Sequence, residues 1–344
     1  MKFLGFEQTF KNSLTGLQIG GAKGGSDFDP KRKSDLEIMR FCQAFMTKLH
    51  HHLGHKTDVP AGDIGVGFTE IGYLFGQYKS LHNKYEPGLI TGKGVEWGGI
   101  HGRKQATGFG VMYFAESMLK NHNTDLKDKI LAVSGFGQVT YGVVKKAVDL
   151  GAKVVTLSGP DGYIYDKDGV SGEKITYMER LRDTNNDVIK PYAEKFGVDY
   201  HEGKKPWEVR CDIAVPCAIQ NELTKSNAET LANNDCKFIV EGANMPCTEE
   251  ALKVFADNNM VVAPSKAANA GGVAVSALEM RQNAGWEKWG FHATDKKLRQ
   301  IMKQLHNTCL SNARKYGKEG DYTLGANVGG FLRVAKAVVA HGVI

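Results

Sequence analysis

The sequence has no long apolar run, no paired cysteine motif and no strongly basic segment. No stretch of the 344 residues approaches the roughly eighteen apolar residues of a transmembrane helix, so we expect no membrane partner. None of the six cysteines forms a Cys-x-x-Cys pair, which predicts reduced thiols in a cytoplasmic protein and no metal site. The net charge is +6, but the longest basic run is Lys31-Arg32-Lys33, which argues against nucleic-acid binding.

Glycine, by contrast, is abundant and clustered. The chain contains 41 glycines, about 12% of its residues against roughly 7% in an average protein. They gather at residues 20–25, 62–67, 98–110, 135–142 and 271–272. Clustered glycine outside low-complexity sequence indicates backbone that closely approaches a ligand or another backbone. A chain of 344 residues is also long for a single core, so we expect two domains.

The N-terminal third predicts helices separated by glycine-rich loops. A helix over residues 2–14 would place its phenylalanines on one face. Ser34 followed by Glu37 predicts a capping box that opens a helix extending to about Leu53. The histidines near its end are His50, His51, His52 and His55. We interpret them as basic side chains at the negative end of a helix dipole rather than as a metal site, because no carboxylate or cysteine is spaced to complete a ligand set.

From about Thr107 the pattern changes to alternating helices and short apolar strands. The predicted strands span residues 130–134, 153–157, 213–215, 238–240 and 260–262. Helices are predicted before, between and after them, the last over about 327–340. Such alternation predicts an α/β fold in which a mostly parallel sheet is covered by helices on both faces.

A turn that is polar or contains glycine or proline follows each predicted strand. These turns are Gly135-Phe136-Gly137, Ser158-Gly159-Pro160-Asp161, Pro216-Cys217-Ala218, Glu241-Gly242-Ala243-Asn244 and Pro264-Ser265-Lys266. Ligands of open α/β sheets bind beyond the carboxyl ends of the strands. The five turns therefore predict a ligand crevice at one edge of the sheet, shaped for a dinucleotide.

The first turn has the pattern of a dinucleotide-binding loop. Gly135-x-Gly137-x-x lies between a predicted strand and a predicted helix, where the second glycine lets a pyrophosphate approach the helix N-terminus. Thr140 replaces the third glycine, which predicts slightly looser helix–strand packing. Ser158-Gly159 stands where an acidic residue would bind the ribose of NAD, and no adjacent arginine would hold the 2′-phosphate of NADP. The sequence therefore does not distinguish NAD from NADP as the cofactor.

Short segments outside the strands carry candidate catalytic and binding side chains. Lys23 lies in a glycine loop. It is either a catalytic acid or base near other cations or simply an exposed lysine. Asp63 lies between glycines, as a proton shuttle or as a turn residue. Gln8 and Lys11 lie three residues apart on a helix, suited to a carboxylate or simply exposed. Ser276 follows a glycine pair, as a ligand contact or as a small packing residue.

Taken in series, these segments resemble the glutamate dehydrogenase family of the Glu/Leu/Phe/Val dehydrogenase superfamily. The matching segments are residues 8–14, 20–25, 58–67 and 268–276, in the same order and spacing. The resemblance implies an enzyme that interconverts glutamate with 2-oxoglutarate and ammonia using NAD or NADP. It implies a Rossmann-like doubly wound nucleotide domain and an α/β substrate domain, with a cleft between them, and a homohexamer.

The resemblance also implies a role for each candidate residue. Lys23 would polarise the carbonyl and activate water, and Asp63 would move protons to and from the amino nitrogen. The implied substrate contacts are Gln8, Lys11, Arg103, Val273 and Ser276. The implied cofactor contacts are Thr107, Gly135, Phe136, Gly137, Gln138, Val139, Ser158, Asn244 and Asn269.

By resemblance, residues 1–98 form the substrate-binding and oligomerisation domain, to which residues 320–344 return, and residues 99–319 form the dinucleotide-binding domain. About the first hundred residues of the family would precede Met1, including a lysine that pairs with the side-chain carboxylate of glutamate. We therefore expect weak glutamate turnover and a less stable or smaller assembly from this chain. The alternatives are a catalytically weak or inactive nucleotide-binding homologue and a dehydrogenase of an apolar amino acid.

Overall fold

The computed structural model describes residues 1–184 and 188–342, and its fold is α/β. The helices are α1 (Lys2–Leu14), α2 (Asp35–Leu49), α3 (Phe68–His82), α4 (Ala106–Asn121), α5 (Gln138–Asp149), α6 (Glu173–Asp183), α7 (Lys190–Phe196), α8 (Lys225–Asn233), α9 (Glu249–Asp257), α10 (Ser265–Ala268), α11 (Gly271–Ala284), α12 (Phe291–Lys315) and α13 (Tyr322–His341). The strands are β1 (Ile130–Val133), β2 (Lys153–Val154), β3 (Thr156–Gly159), β4 (Gly162–Tyr165), β5 (Asp199–Glu202), β6 (Ile213–Val215), β7 (Phe238–Val240) and β8 (Val261–Ala263). Among these described helices, none combines the length and apolarity needed to span a membrane.

A parallel sheet with the strand order β2-β1-β6-β7-β8 forms the centre of the larger part of the chain. Successive side chains of a strand point to opposite faces of the sheet. Leu131 and Val133 accordingly pack in the core that includes residues of α4, α5, α11 and α12, whereas Ala132 packs in the core that includes residues of α8 and α9. Both faces are therefore buried, and the predicted doubly wound sheet is confirmed.

The strand order places a switch point between β1 and β6. The chain leaves β1 toward β2 on one side of it and later returns as β6 on the other. The turns that follow β1 and β6 meet there, because a Cβ added to Gly135 would lie 3.3 Å from both the Cα of Ala218 and the carbonyl oxygen of Cys217. Open α/β sheets bind ligands in the crevice at such a point.

The strand predicted over residues 153–157 is wrong beyond Val154. Only Lys153–Val154 pairs with β1, and from Thr156 the chain forms a separate antiparallel sheet of β3, β4 and β5. The Thr156 hydroxyl accepts from Val133 N at 2.8 Å and donates to Val133 O at 2.9 Å. This side chain therefore takes the place of a strand partner of β1 and leaves the Thr156 backbone free to pair with Tyr165 of β4.

The N-terminal helices form a smaller core of their own. Helix α2 packs on α3 around apolar side chains that include Met46 and Phe75. The predicted capping box is confirmed, since Ser34 N donates to Glu37 Oε2 at 2.8 Å and Glu37 N donates to Ser34 Oγ at 3.3 Å. The helix ends at Leu49 rather than near Leu53, because a single 3₁₀ turn follows it.

The C-terminal helix α13 lies along α1. The Ser13 hydroxyl donates to Gly330 O at 3.0 Å, and Arg333 Nη1 donates to Ser13 O at 2.9 Å. The first and last helices of the chain are thereby joined. Helix α1 also contacts α10, which follows the last strand of the parallel sheet. The side chains of α1 are therefore held close to the carboxyl edge of that sheet.

Replacing Gly108 by alanine should destabilise the fold markedly. A Cβ on Gly108 of α4 would overlap with the backbone atoms Val139 O and Val143 N of α5. Overpacking of this kind costs roughly 1–3 kcal/mol or more. Gly76→Ala on α3 is the matched control, because its Cβ would meet nothing within 4 Å, and alanine in a helix is about 0.5–1 kcal/mol better than glycine. Chemical denaturation should show a lower midpoint for the first variant and a wild-type or higher one for the second; an unchanged midpoint for Gly108→Ala would contradict the packing described.

Candidate active site

An ion pair joins Lys23 to Asp63. Lys23 lies in the glycine loop after α1, and Asp63 lies in the loop before α3. The lysine loop rests on the backbone of α1, since a Cβ on Gly21 would lie 2.6 Å from Thr9 N, and the Thr9 hydroxyl donates to Gly21 O at 3.0 Å. Glycine is required at position 21 because two backbones meet there, and this contact holds the lysine in place.

Lysines from α1 and from the glycine loop share one pocket with Gln8 and Asn244. Lys11 Nζ donates to Asn244 Oδ1 at 3.0 Å, so α1 meets the turn that follows β7. Desolvation and the positive charge of Lys23 lower the pKa of Lys11 to about 7, against a smaller opposing effect of Glu7. Desolvation also lowers the pKa of Lys23. The pocket thus holds two poorly solvated lysines, and a bound anion would stabilise their charged forms.

A second group of predicted residues surrounds the starts of α4 and α11. Arg103 Nε donates to Ser276 Oγ at 2.9 Å. A Cβ on Gly272 would overlap with the hydroxyl oxygen of Thr107, so the glycine lets α11 approach α4. Val273 is half-buried against the core. The structure therefore brings together three of the five predicted substrate contacts, Arg103, Val273 and Ser276.

Two asparagines connect these groups. Asn269 Nδ2 donates to Asn244 Oδ1 at 2.9 Å and to Gly242 O at 3.2 Å. Helix α11 begins two residues after Asn269, and Asn244 also accepts from Lys11. Through this pair, the end of β7, the start of α11 and the lysine of α1 are held beside one another.

The loop after β1 has the geometry of a phosphate-binding turn. Gly135 has a φ of +75°, which side chains rarely adopt, and its N–H donates to Ser158 Oγ at 2.8 Å. Gly137 is the N-cap of α5, and a Cβ there would meet nothing within 4 Å. Thr140, which replaces the third glycine, is buried and donates its hydroxyl to Ser134 O at 3.1 Å.

The remaining residues of this loop differ in where their side chains lie. Phe136 is buried in the main core, and Gln138 donates from its amide to Lys104 O at 2.9 Å. Val139 is half-buried and lies close to Gly242. The Phe136 side chain is therefore enclosed in the core, whereas that of Gln138 is exposed and is held by one hydrogen bond to the segment before α4.

Asp161, which follows Ser158 after β3, has a structural role. Its carboxylate accepts from Ile189 N at 2.9 Å, from Lys190 N at 3.0 Å and from the Tyr200 hydroxyl at 3.1 Å. These bonds hold α7 and β5 against the turn between β3 and β4. The Asp161 side chain is thereby fixed within the fold.

The crevice fits a dinucleotide. Among the described residues no side chain caps the N-terminus of α5, so its first N–H groups, beside the side-chain-free Gly137, suit a pyrophosphate. Asn269 Oδ1 is buried and has no hydrogen-bond partner among the described residues. Buried polar atoms are almost always paired, so this oxygen is suited to an amide donor of a bound ligand.

Sequence comparison decides the family of a chain with this geometry. The profile of the Glutamate/Leucine/Phenylalanine/Valine dehydrogenases matches residues 98–342, and that of the Glu/Leu/Phe/Val dehydrogenase dimerisation domain matches residues 1–80. The chain belongs to the Glu/Leu/Phe/Val dehydrogenase family. The family expected from the motifs is thus confirmed.

Several relatives of this dehydrogenase carry specific names. An NAD-specific glutamate dehydrogenase of Bacteroides fragilis is 54% identical over the whole of this chain, which spans 77% of that protein. An NADP-specific glutamate dehydrogenase of Haemophilus influenzae is 50% identical over the whole chain and 76% of that protein. A solved structure of a glutamate dehydrogenase has a TM-score of 0.98 at 50% identity, over the whole chain and 77% of that structure. The fold class is confirmed by the last comparison.

Two buried carboxylates of this dehydrogenase, at the edge of the crevice, were not predicted. Glu222 Oε1 accepts from Ser134 Oγ at 2.8 Å and from Ala218 N at 2.9 Å. Glu241 Oε2 accepts from Ser265 N at 2.8 Å. Desolvation raises the pKa of both carboxyl groups. Their hydrogen bonds hold the turns after β1, β6, β7 and β8 in place. Glu241 could have been singled out from the sequence, because it directly follows a predicted strand.

A buried ion pair between Lys93 and Glu279 was not predicted either. Lys93 Nζ lies 2.6 Å from Glu279 Oε1, and both side chains are inaccessible to solvent. Two signals were present in the sequence: Lys93 stands between two glycines, and Glu279 lies three residues after Ser276. The spacing places Glu279 on the same face of α11 as Ser276.

Proposed function

We propose that this chain is a glutamate dehydrogenase that interconverts L-glutamate with 2-oxoglutarate and ammonia, using NAD or NADP. The observation that carries the proposal is the Lys23–Asp63 ion pair, whose lysine shares with Lys11 a pocket at the edge of a dinucleotide crevice. Relatives named glutamate dehydrogenase are about half identical over the whole chain. Their names cover both cofactors, and so does the proposal.

The substrate would be held at both ends. Gln8 and Lys11 on one face of α1 are the proposed ligands of its α-carboxylate, because Lys11 presents a half-buried ammonium to the pocket. Arg103 and Ser276, joined by a 2.9 Å hydrogen bond, are the proposed ligands of its side-chain carboxylate, with Val273 packed beside them. Two fixed ends orient the α-carbon toward the crevice, which lowers the entropic cost of reaction.

A bound nicotinamide dinucleotide supplies the acceptor for the hydride that leaves the α-carbon. The protein's own contribution is proton transfer by Lys23 and Asp63. Asp63 accepts a proton from the substrate amino group, and loss of the hydride leaves an iminium carbon. Water adds to this carbon as neutral Lys23 Nζ takes one of its protons. Asp63 then returns a proton to the nitrogen, which leaves as ammonia when the carbonyl forms. The lowered pKa of Lys23, caused by desolvation, makes its proton easier to release near neutral pH.

The dinucleotide would lie across the turns at the carboxyl edge of the sheet. Its pyrophosphate would accept from the N-terminus of α5, and its nicotinamide half would lie near Thr107 and the two asparagines. The proposed contacts are Thr107, Gly135, Phe136, Gly137, Gln138, Val139, Ser158, Asn244 and Asn269. Phe136 would contribute its backbone, since its side chain is buried in the core.

We further infer the domain division and the assembly. A substrate domain of residues 1–98 joined by 320–344, and a nucleotide domain of 99–319, are supported by the packing of α13 on α1 and by two family profiles that leave residues 81–97 between them. A match to a dimerisation-domain profile supports a homo-oligomer, and we propose a hexamer. Six buried free cysteines support a cytoplasmic location. Light scattering tests the assembly: a monomer at micromolar concentration would contradict it.

The activity is tested by following reduction of NAD and of NADP with purified protein. Glutamate should support reduction, whereas leucine, valine and phenylalanine should support little or none. Turnover of an apolar amino acid in preference to glutamate would refute the proposal and identify a dehydrogenase of an apolar amino acid. Dinucleotide binding without turnover of any amino acid would instead identify a nucleotide-binding homologue without activity.

Carboxylate binding should weaken as the pH rises above about 7. In the ligand-free protein the pKa of Lys11 is lowered to about 7, so this lysine is a cation below that pH and neutral above it. A bound carboxylate favours the cation and raises this pKa, so affinity should fall by up to tenfold per pH unit until the pKa of the bound state is reached. Competitive inhibition by glutarate, measured between pH 6 and 9, checks this. Lys11→Arg keeps its charge and should remove this dependence; an identical profile in that variant would assign it to another group.

A further inference from the structure

Glu279 is a buried carboxylate with more than one partner. It accepts from Lys93 Nζ at 2.6 Å, and also from the backbone N–H groups of Gly92 at 3.1 Å and Lys93 at 3.3 Å. The side chains of Glu279 and Lys93 are both inaccessible to solvent. A charge that is buried so completely is costly unless it is paired, so the two charges depend on each other.

Arg103 belongs to the same group of charges. Its Nε donates to Ser276 Oγ at 2.9 Å, and Ser276 precedes Glu279 by three residues on α11. Desolvation lowers the pKa of both Lys93 and Arg103, and for both cations the charge of Glu279 opposes that effect. One carboxylate is therefore the counter-charge of two cations. Arg103 is half-buried, and so it is the member of the three that a ligand can reach.

We propose that Lys93, Glu279 and Arg103 form a charge cluster with one excess positive charge, and that the side-chain carboxylate of a dicarboxylic amino acid completes it. The proposal rests on the proposed function and concerns its specificity. Two cations and one carboxylate leave one positive charge uncompensated, and its accessible end is at Arg103. An apolar side chain would cover this charge without neutralising it, which is costly. The cluster thereby selects glutamate over the apolar substrates of the family.

The position of Lys93 within the fold does not depend on its charge alone. Gln282 Nε2 donates to Gly99 O at 3.1 Å, and Asn283 Nδ2 donates to Gly98 O at 2.7 Å. These uncharged bonds hold the segment that follows Lys93 against α11. Variants that change the charges of the cluster therefore keep other contacts between the same two elements.

Two variants separate the charge of the cluster from its packing. Lys93→Met leaves one carboxylate and one cation, so the excess charge is lost. The KM for glutamate and the inhibition constant of glutarate should both rise about 10- to 100-fold. Norvaline has the carbon chain of glutamate without the second carboxylate, and its kcat/KM should stay within about threefold. Lys93→Met combined with Glu279→Gln leaves Arg103 as the single excess charge, and the glutamate KM should return toward the wild-type value.

A matched control lies in the small antiparallel sheet. Lys174 Nζ is 2.7 Å from the buried carboxylate of Asp166, so Lys174→Met removes the same kind of ion pair away from the substrate. It should alter thermal stability without changing the ratio of glutamate to norvaline kcat/KM. Should Lys93→Met be too unstable to purify, the double variant decides alone, because buried pairs replaced on both sides often keep their stability.

Two results would overturn the cluster. One is a parallel loss for glutamate and norvaline in Lys93→Met. The other is a folded double variant in which the glutamate KM stays as high as in Lys93→Met. If only the double variant can be purified, loss of its preference for glutamate over norvaline would have the same meaning. Either would assign the pair a purely structural role. A wild-type protein that prefers apolar amino acids would instead refute the proposed function, and that result is distinguishable because it precedes any substitution.

Discussion

Lys23→Ala should lower kcat for glutamate oxidation by about 10²- to 10⁴-fold, the usual effect of removing one general acid or base. The dissociation constant of the dinucleotide should change by no more than a few fold. Lys23 pairs with Asp63 and shares a pocket with Asn244, a proposed cofactor contact, but the proposed pyrophosphate-binding loop after β1 does not line that pocket. Steady-state rates and fluorescence titration with the reduced cofactor measure the two quantities separately.

The control for this prediction is an exposed lysine of the same part of the chain. Lys56→Ala removes a lysine that is exposed to solvent and should leave both quantities unchanged. Asp63→Asn should lower kcat as well, since it removes the partner of Lys23 and the proposed proton acceptor. Equal losses of turnover and cofactor affinity in Lys23→Ala would indicate a folding defect and contradict the catalytic assignment.

Strands β1, β6, β7 and β8 were predictable because each is a short apolar run followed by a turn. Strands β6 and β7 have the predicted bounds, and β8 is displaced by one residue. The antiparallel sheet was not predicted, because β5 is Asp199–Glu202, a polar segment whose pairing with β4 comes from tertiary contacts. The break before β3 depends on one hydroxyl, that of Thr156, which bonds to β1 and cannot be recognised in a run of apolar residues.

The candidate site was predictable where its residues occur in short motifs. The lysine loop and the turn after β1 are both marked by glycines, and the family resemblance supplied the proposed roles. The charge cluster was not predictable, because Lys93 and Glu279 lie 186 residues apart and only the docking of α11 brings them together. Similarly, nothing local to Asn244 indicates that it contacts both Lys11 and Asn269. Long-range polar contacts thus determine the geometry of the site, and sequence motifs determine which side chains are present in it.

Gly137→Asp should reduce dinucleotide affinity by roughly 100- to 1,000-fold while leaving the ligand-free protein folded. Gly137 is the N-cap of α5, with a φ of −74° that any residue adopts, and a Cβ there would meet nothing within 4 Å. Aspartate is a better N-cap than glycine and is favoured by the helix dipole. The thermal midpoint of the ligand-free variant should therefore equal or exceed that of the wild type.

The loss of affinity would come from the ligand alone. A pyrophosphate at the N-terminus of α5 would meet the aspartate carboxylate, and like charges about 4 Å apart repel by about 4 kcal/mol at the effective dielectric of a protein surface. Gly137→Ser is the matched control, because serine caps the helix equally well without a charge and should bind the cofactor within a few fold of wild type. Fluorescence titration with NADH and NADPH measures all three proteins. An aspartate variant that binds either dinucleotide normally would place the pyrophosphate away from α5, and the assignment of the loop after β1 would fail with it.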